Sequence, residues 1–169
     1  MSGDPTFYST IPQSELPSWD DGDLSGAMFD EAVELAGGWG FTTADVAKLP
    51  LGFRASLAVG RVNAHVLGDG VACAVWNDDG VELFALAARC LESMGEQSLS
   101  RVLVDIVSAV ERWQRQTGKK PRSRKLDAFT ESPLGVALDG YMDAFEEVAD
   151  AGFATMMAYL RAKPQVFKA

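Results

Sequence analysis

The sequence predicts an all-α fold: one irregular bundle of about six helices over residues 24–169, preceded by an extended acidic and aromatic arm over residues 1–23. Three observations carry this. Apolar residues recur at three- and four-residue spacing along most of the chain, the period of a single helix face. Glycine, proline and small polar residues fall between those stretches, where helices stop and start. Strand-like alternation is scarce and the connections are short. A chain of 169 residues is the size of one domain and long enough to bury a substantial core.

The arm contains Pro5, Pro12 and Pro17. Each removes a backbone donor and restricts the residue before it, so helix is not expected there. Its Phe7, Tyr8, Ile11, Leu16 and Trp19 supply apolar groups that could dock on the body or on a second subunit. A first helix is predicted over 27–36, with Met28, Ala32, Leu35 and Ala36 on one face and Gly37 and Gly38 as its stop. Thr42 or Thr43 caps a short turn that has Asp45 in its first residues. Pro50 suits the first turn of the next helix, whose inner stripe is Phe53, Leu57, Arg61 or Val62, and Val66.

A break is expected at Gly68-Asp69-Gly70. The apolar run 71–76 fits a strand or a buried helical turn, and its helical neighbours favour helix. Asn77 to Gly80 read as a turn and cap. The helix after it, over 80–94, carries Phe84, Ala87, Ala88, Leu91 and Met94 on one face, and Gly95 closes it. Ser98 or Ser100 opens the clearest amphipathic helix, with Leu99, Val102, Leu103, Ile106, Val107, Val110 and Trp113 inward and Gly118 as its end. After a basic loop, Ser132 caps and Pro133 begins a last helix. That helix is predicted to run to Lys163, with a kink at Ala151-Gly152 and a stop enforced by Pro164.

Charge is sorted along the chain. The net formal charge is −9. The first 47 residues hold nine carboxylates and no basic residue, including Asp20, Asp21 and Asp23. Residues 127–150 hold seven carboxylates and no basic residue, with Asp139, Asp143, Glu146, Glu147 and Asp150 at helical neighbour spacings. Between these lies a basic strip of Arg112, Arg115, Lys119, Lys120, Arg122, Arg124 and Lys125. The negative total repels nucleic acid and anionic membranes at long range and favours a basic partner. Direct nucleic-acid binding is therefore not expected, although the basic strip offers an alternative phosphate-contacting patch. The same strip could instead pair with the chain's own acidic segments or solvate a helix end.

Signals for chemistry are sparse. His65 is the only histidine; Asp69 and Cys73 would align with it only on a helix unbroken through Gly68 and Gly70. His65, Asp69, Cys73 and Cys90 lack the close spacing of a zinc site, and 77–82 lacks the ligand pattern of a calcium loop. No phosphate-binding glycine loop or nucleophile elbow is present. The tryptophans Trp19, Trp39, Trp76 and Trp113 read as core or interface anchors. No metal, cofactor or enzyme activity is expected. Two cysteines in apolar surroundings, no signal peptide and no apolar run of membrane-spanning length point to the cytoplasm.

One stretch carries a resemblance. Residues 65–80 read His-Val-Leu-Gly-Asp-Gly-Val-Ala-Cys-Ala-Val-Trp-Asn-Asp-Asp-Gly. Val66, Gly70, Trp76, Asn77 and Gly80 match the core pattern of the bacterial DNA-mimic-protein family; His65, Leu67, Gly68, Asp69, Val71 and Cys73 depart from it. The alanine- and leucine-rich stretch 85–95, the helix over 99–110, Leu138-Asp139 with Tyr141, Glu146-Glu147, and the ending Tyr159 to Pro164 with Phe167 are also similar, so the resemblance spans about 120 residues. It implies an all-helical domain without established enzyme activity and with a tendency to dimerise. It also implies acidic side chains that imitate DNA phosphates toward a DNA-binding protein. The expectation is a homodimeric protein-interaction module offering an acidic surface to a basic protein. An immunity-type protein that neutralises a toxin would use the same physics.

Overall fold

The computed structural model describes residues 18–168, Glu15, and the backbone of Thr6–Tyr8 and Ile11–Pro12, which pair as a short antiparallel ladder. The rest of the expected arm, with Pro5, Leu16 and Pro17, lies outside the described residues, as do the side chains of Phe7, Tyr8, Ile11 and Pro12. The body is all helical. Among the described residues there are nine α-helices: α1 Asp21–Leu35, α2 Thr43–Ala47, α3 Leu51–Asp69, α4 Val71–Asn77, α5 Glu82–Ser93, α6 Ser98–Thr117, α7 Leu126–Thr130, α8 Pro133–Asp139 and α9 Met142–Ala162. The count exceeds six because several turns expected within connections or longer helices close as separate short helices.

The first helix begins six residues earlier than its apolar pattern suggests. Asp20 accepts a hydrogen bond from the Asp23 N–H at 2.8 Å, so the acidic cluster is the cap and first turn of α1 and not the end of an arm. The α2 cap is Thr42, in a reciprocal capping box with Asp45. Hydrogen bonds from the Thr42 side chain and backbone, helped by Lys48, hold the Asp45 carboxyl down to about 2.

Helix α3 is the hub. Phe53, Ala55, Leu57, Ala58, Val59, Val62 and Val66 are buried, and α1, α2, α4, α5 and α9 all pack on it. It runs through Gly68 and stops at Gly70, whose φ of 86° lies in the left-handed region that favours glycine. The chain turns there into α4, which resolves the 71–76 ambiguity in favour of helix. The antiparallel pair α5 and α6 forms the second layer, with Leu99, Leu103, Ile106 and Val110 of α6 buried in one stripe. Gly118 ends α6 in the left-handed conformation at φ 66°.

One expectation for the C-terminal segment is overturned: the single helix from Pro133 is divided at Gly140-Tyr141, between α8 and α9, while α9 stays helical through Ala151-Gly152. Gly152 is small for a packing reason: a Cβ there would lie 2.9 Å from the Leu99 side chain. The missing side chain lets α9 approach α6.

The start of α6 also differs from expectation. Neither Ser98 nor Ser100 caps it. Glu96, only 7% exposed, accepts the N–H groups of Ser98, Leu99 and Ser100 at 3.1, 2.9 and 3.2 Å. A buried carboxylate thereby satisfies three of the donors that a helix start leaves open.

Candidate partner-binding surfaces

The acidic residues divide into two groups. On α9, Asp143, Glu146, Glu147 and Asp150 are all exposed and spaced three and four apart, so they share one face with neighbours about 5–6 Å apart. Asp139 does not join them. It ends α8 on the far side of the Gly140-Tyr141 break, and its carboxylate accepts the Ala72 N–H at 3.1 Å, capping the start of α4. Asp139 is itself exposed, with one oxygen held by this cap.

On α1, Asp20, Asp21 and Asp23 are exposed at the helix start. Asp21 is paired: Arg161, near the end of α9, donates to its Oδ1 at 2.8 and 3.0 Å and to the Trp19 carbonyl at 2.6 Å. Arg161 follows Asp150 by eleven residues, about 17 Å along the helix. The carboxylates of α9 and those at the start of α1 therefore form two separate patches.

The basic strip is not uniform. All seven of its residues are exposed, with Arg115 3.6 Å from Glu111 one helical turn back. Arg122 is committed to the fold. Its guanidinium donates to the Trp76 and Asn77 carbonyls at 3.1 and 2.7 Å and lies 5.0 Å over the Trp76 ring. Its backbone N–H donates to Asp79 at 3.0 Å, and Trp76 Nε1 donates to the Arg124 carbonyl at 3.0 Å. These contacts close the C-terminal end of α4, where carbonyls lack helical partners.

The residues that carry the family resemblance surround the same corner. Val66 is buried in the core and Gly70 makes the α3–α4 turn. Trp76 and Asn77 receive Arg122, and Gly80, at φ 151°, follows Asp79 in the turn before α5. These positions shape the fold and form no exposed patch.

Helix α3 keeps His65 and Asp69 one turn apart, and the fold adds a neighbour that spacing does not indicate. The His65 Nδ1 lies 3.8 Å from Asp78, which also faces Arg61 at 3.4 Å. The Asp78 side chain is 7% exposed and Arg61 stacks 4.9 Å over Phe41. The α3–α4 corner folds residue 78 back against residues 61 and 65, a juxtaposition without any periodic signal. Arg61 and Asp78 line an open cleft of about 430 Å³ together with Asp79, Glu82 and Lys120. Burial pushes the Asp78 carboxyl up, against the pull of Arg61 and His65.

A raised folded-state value means that the native protein holds this proton more tightly than the unfolded chain does. The contribution of Asp78 to stability is fully present below its ordinary value and is lost as pH rises through the folded value. Denaturant titrations of Asp78→Asn over the mildly acidic range should therefore show a less negative stability slope with pH than the parent. An identical slope would show that Asp78 titrates as in the unfolded chain.

The thiols Cys73 and Cys90 are both free. Cys90 is buried and its thiol is pushed up to about 11 by desolvation; Cys73, half-buried, is also pushed up by desolvation and then by Asp139 and Asp69. Alkylation at neutral pH should label Cys73 slowly and leave Cys90 unmodified until the protein unfolds, as peptide mass mapping would report. Labelling of both at the unfolded rate would contradict these environments. Among the described residues no cluster of three metal-ligating side chains occurs, and no helix is long and apolar enough to cross a membrane.

Comparison with protein-family models, curated proteins and solved structures found no match to this chain.

Proposed function

We propose that this protein is a non-enzymatic interaction module that presents carboxylates to a basic protein, with imitation of DNA toward a DNA-binding regulator as its specific form. The observation that carries the reading is the exposed α9 face of Asp143, Glu146, Glu147 and Asp150. Like charges three and four residues apart weaken a helix by a few tenths of a kcal/mol per pair. A cationic partner would convert that repulsion into attraction and gain a faster encounter rate. The exposed carboxylates of α1 and the net charge of −9 act in the same direction at long range. A homodimer belongs to the same reading.

The basic strip supports a second reading, phosphate or nucleic-acid binding, less well. Arg122 is occupied by α4, and the remaining cations sit on a strongly negative molecule.

The test uses the full chain as bait in lysate from its source cells, with and without excess duplex DNA. A basic protein retained by the parent, released by DNA, and lost from a variant carrying Asp143→Asn, Glu146→Gln, Glu147→Gln and Asp150→Asn is the expected result. Retention of nucleic acid itself, or a partner indifferent to the four changes and to DNA, would overturn the proposal.

A further inference from the structure

The cleft of about 430 Å³ lies where the start of α2, the middle of α3 and the α4–α5 turn meet, and its volume falls in the range of small-molecule sites. Its lining carries both signs of charge. Arg61 and Asp78 stand 3.4 Å apart on one part of the wall, and the exposed Lys120 and Glu82 stand on another. Phe41 and Leu83 add apolar surface.

The Arg61–Asp78 pair is incompletely satisfied. The Asp78 side chain is 7% exposed and that of Arg61 is 27% exposed. Asp78 Oδ2 and Arg61 Nε are buried without a hydrogen-bond partner among the described residues, as is the His65 Nδ1 that faces Oδ2. Charges taken out of water are costly unless their donors and acceptors are used, so such atoms require an explanation. The 3.4 Å contact is also long, since charge-assisted N–H···O bonds run about 2.7–2.9 Å.

Arg54, one helical face away on α3, shows the contrast. It donates to the Leu49 carbonyl through two nitrogens, at 3.1 and 2.8 Å, and is committed to the fold. The Arg61 guanidinium is held instead by the Phe41 ring, 4.9 Å below it. Stacking fixes its plane without using its N–H groups. An arginine oriented in this way at a cleft wall is suited to a carboxylate from outside.

The mixed lining narrows the ligand. A simple anion would meet Asp78 and Glu82, and a simple cation would meet Arg61 and Lys120; like-charge repulsion opposes both. We propose that the cleft binds a small zwitterion of the α-amino-acid class. Arg61 and Lys120 receive its carboxylate, Asp78 and Glu82 receive its ammonium group, and Phe41 with Leu83 faces its side chain. Binding exchanges one long internal contact for shorter ones to both ligand charges. The site shares no residue with the α9 face and does not depend on the interaction-module reading.

The test is saturation-transfer NMR on the full chain with a pool of the proteinogenic L-amino acids, repeated with their N-acetyl and their amide derivatives. Asp78→Asn, Lys120→Gln, Glu82→Gln and the four-residue α9 variant are compared with the parent, with circular dichroism as the check that each remains folded. Lys120 and Glu82 are exposed, so their variants keep the test valid should Asp78→Asn unfold. At least one amino acid is expected to receive saturation from the parent, while its two derivatives do not. Its Kd should rise about tenfold in Asp78→Asn and about threefold in each of the two exposed variants, and stay unchanged in the α9 variant. No transfer to any amino acid, equal binding of an N-acetyl derivative, or a Kd unmoved by the cleft substitutions would overturn the proposal. Loss of binding in the folded α9 variant would overturn it as well. None of these results would touch the interaction-module reading, which the lysate experiment decides.

Discussion

Replacing Glu96 with alanine is expected to destabilise the protein by about 3 kcal/mol. The side chain is nearly fully buried and its two oxygens receive three backbone N–H groups at the start of α6. Alanine leaves those donors without their acceptor, and charge-assisted hydrogen bonds are the costliest kind to lose. The carboxylate also complements the positive end of the α6 dipole. Glutamine in its place keeps one acceptor oxygen but loses the charge, so it should fall between the parent and alanine. For a chain of this size the alanine variant should melt about 6–12 °C lower in a thermal scan. A melting temperature within a degree or two of the parent would mean that water replaces the carboxylate without loss.

Gly135→Ala is expected to cost a similar amount, about 3 kcal/mol, by a steric route. A Cβ at Gly135 would meet the backbone of α7, 2.7 Å from the Thr130 carbonyl carbon and closer still to the Phe129 and Thr130 carbonyl oxygens. Backbone cannot rotate away as a side chain can. Nor can α7 retreat easily, because Phe129 is fully buried and packs edge-on against Trp113 at 6.1 Å. Gly26→Ala is the matched control. Gly26 is exposed within α1, and a methyl group there would have nothing within 4 Å, so alanine should stabilise by about 0.5–1 kcal/mol through helix propensity alone. Chemical denaturation of the two variants should move in opposite directions. Equal and small changes would show that the α7–α8 contact is looser than its geometry indicates.

These two sites illustrate what periodicity reaches. The stripe Leu99, Leu103, Ile106 and Val110 is legible because burial repeats every three or four residues on a helix, and Gly118 and Ser132-Pro133 are legible because their backbone preferences are local. Glu96 is not. A carboxylate that caps by reaching forward from before the N-cap looks, in sequence, like any other charged residue in a connection. Gly152 suggests a kink for a related reason: glycine within a helix signals a bend or a close contact, and only the partner helix distinguishes them.

The candidate surfaces divide in the same way. Charge segregation, the shared face of Asp143, Glu146, Glu147 and Asp150, and the all-helical class follow from spacing and composition, which the chain carries locally. Tertiary structure alone decided that Asp139 caps α4, that Arg122 closes its other end, and that His65 meets Asp78. It also left Trp39 exposed beside α1 while Trp113 packs against the core. Each of those outcomes depends on which helix ends face one another. That is set by packing between distant segments, where hydrogen-bonding and desolvation costs are balanced across the whole bundle, and no local pattern encodes it.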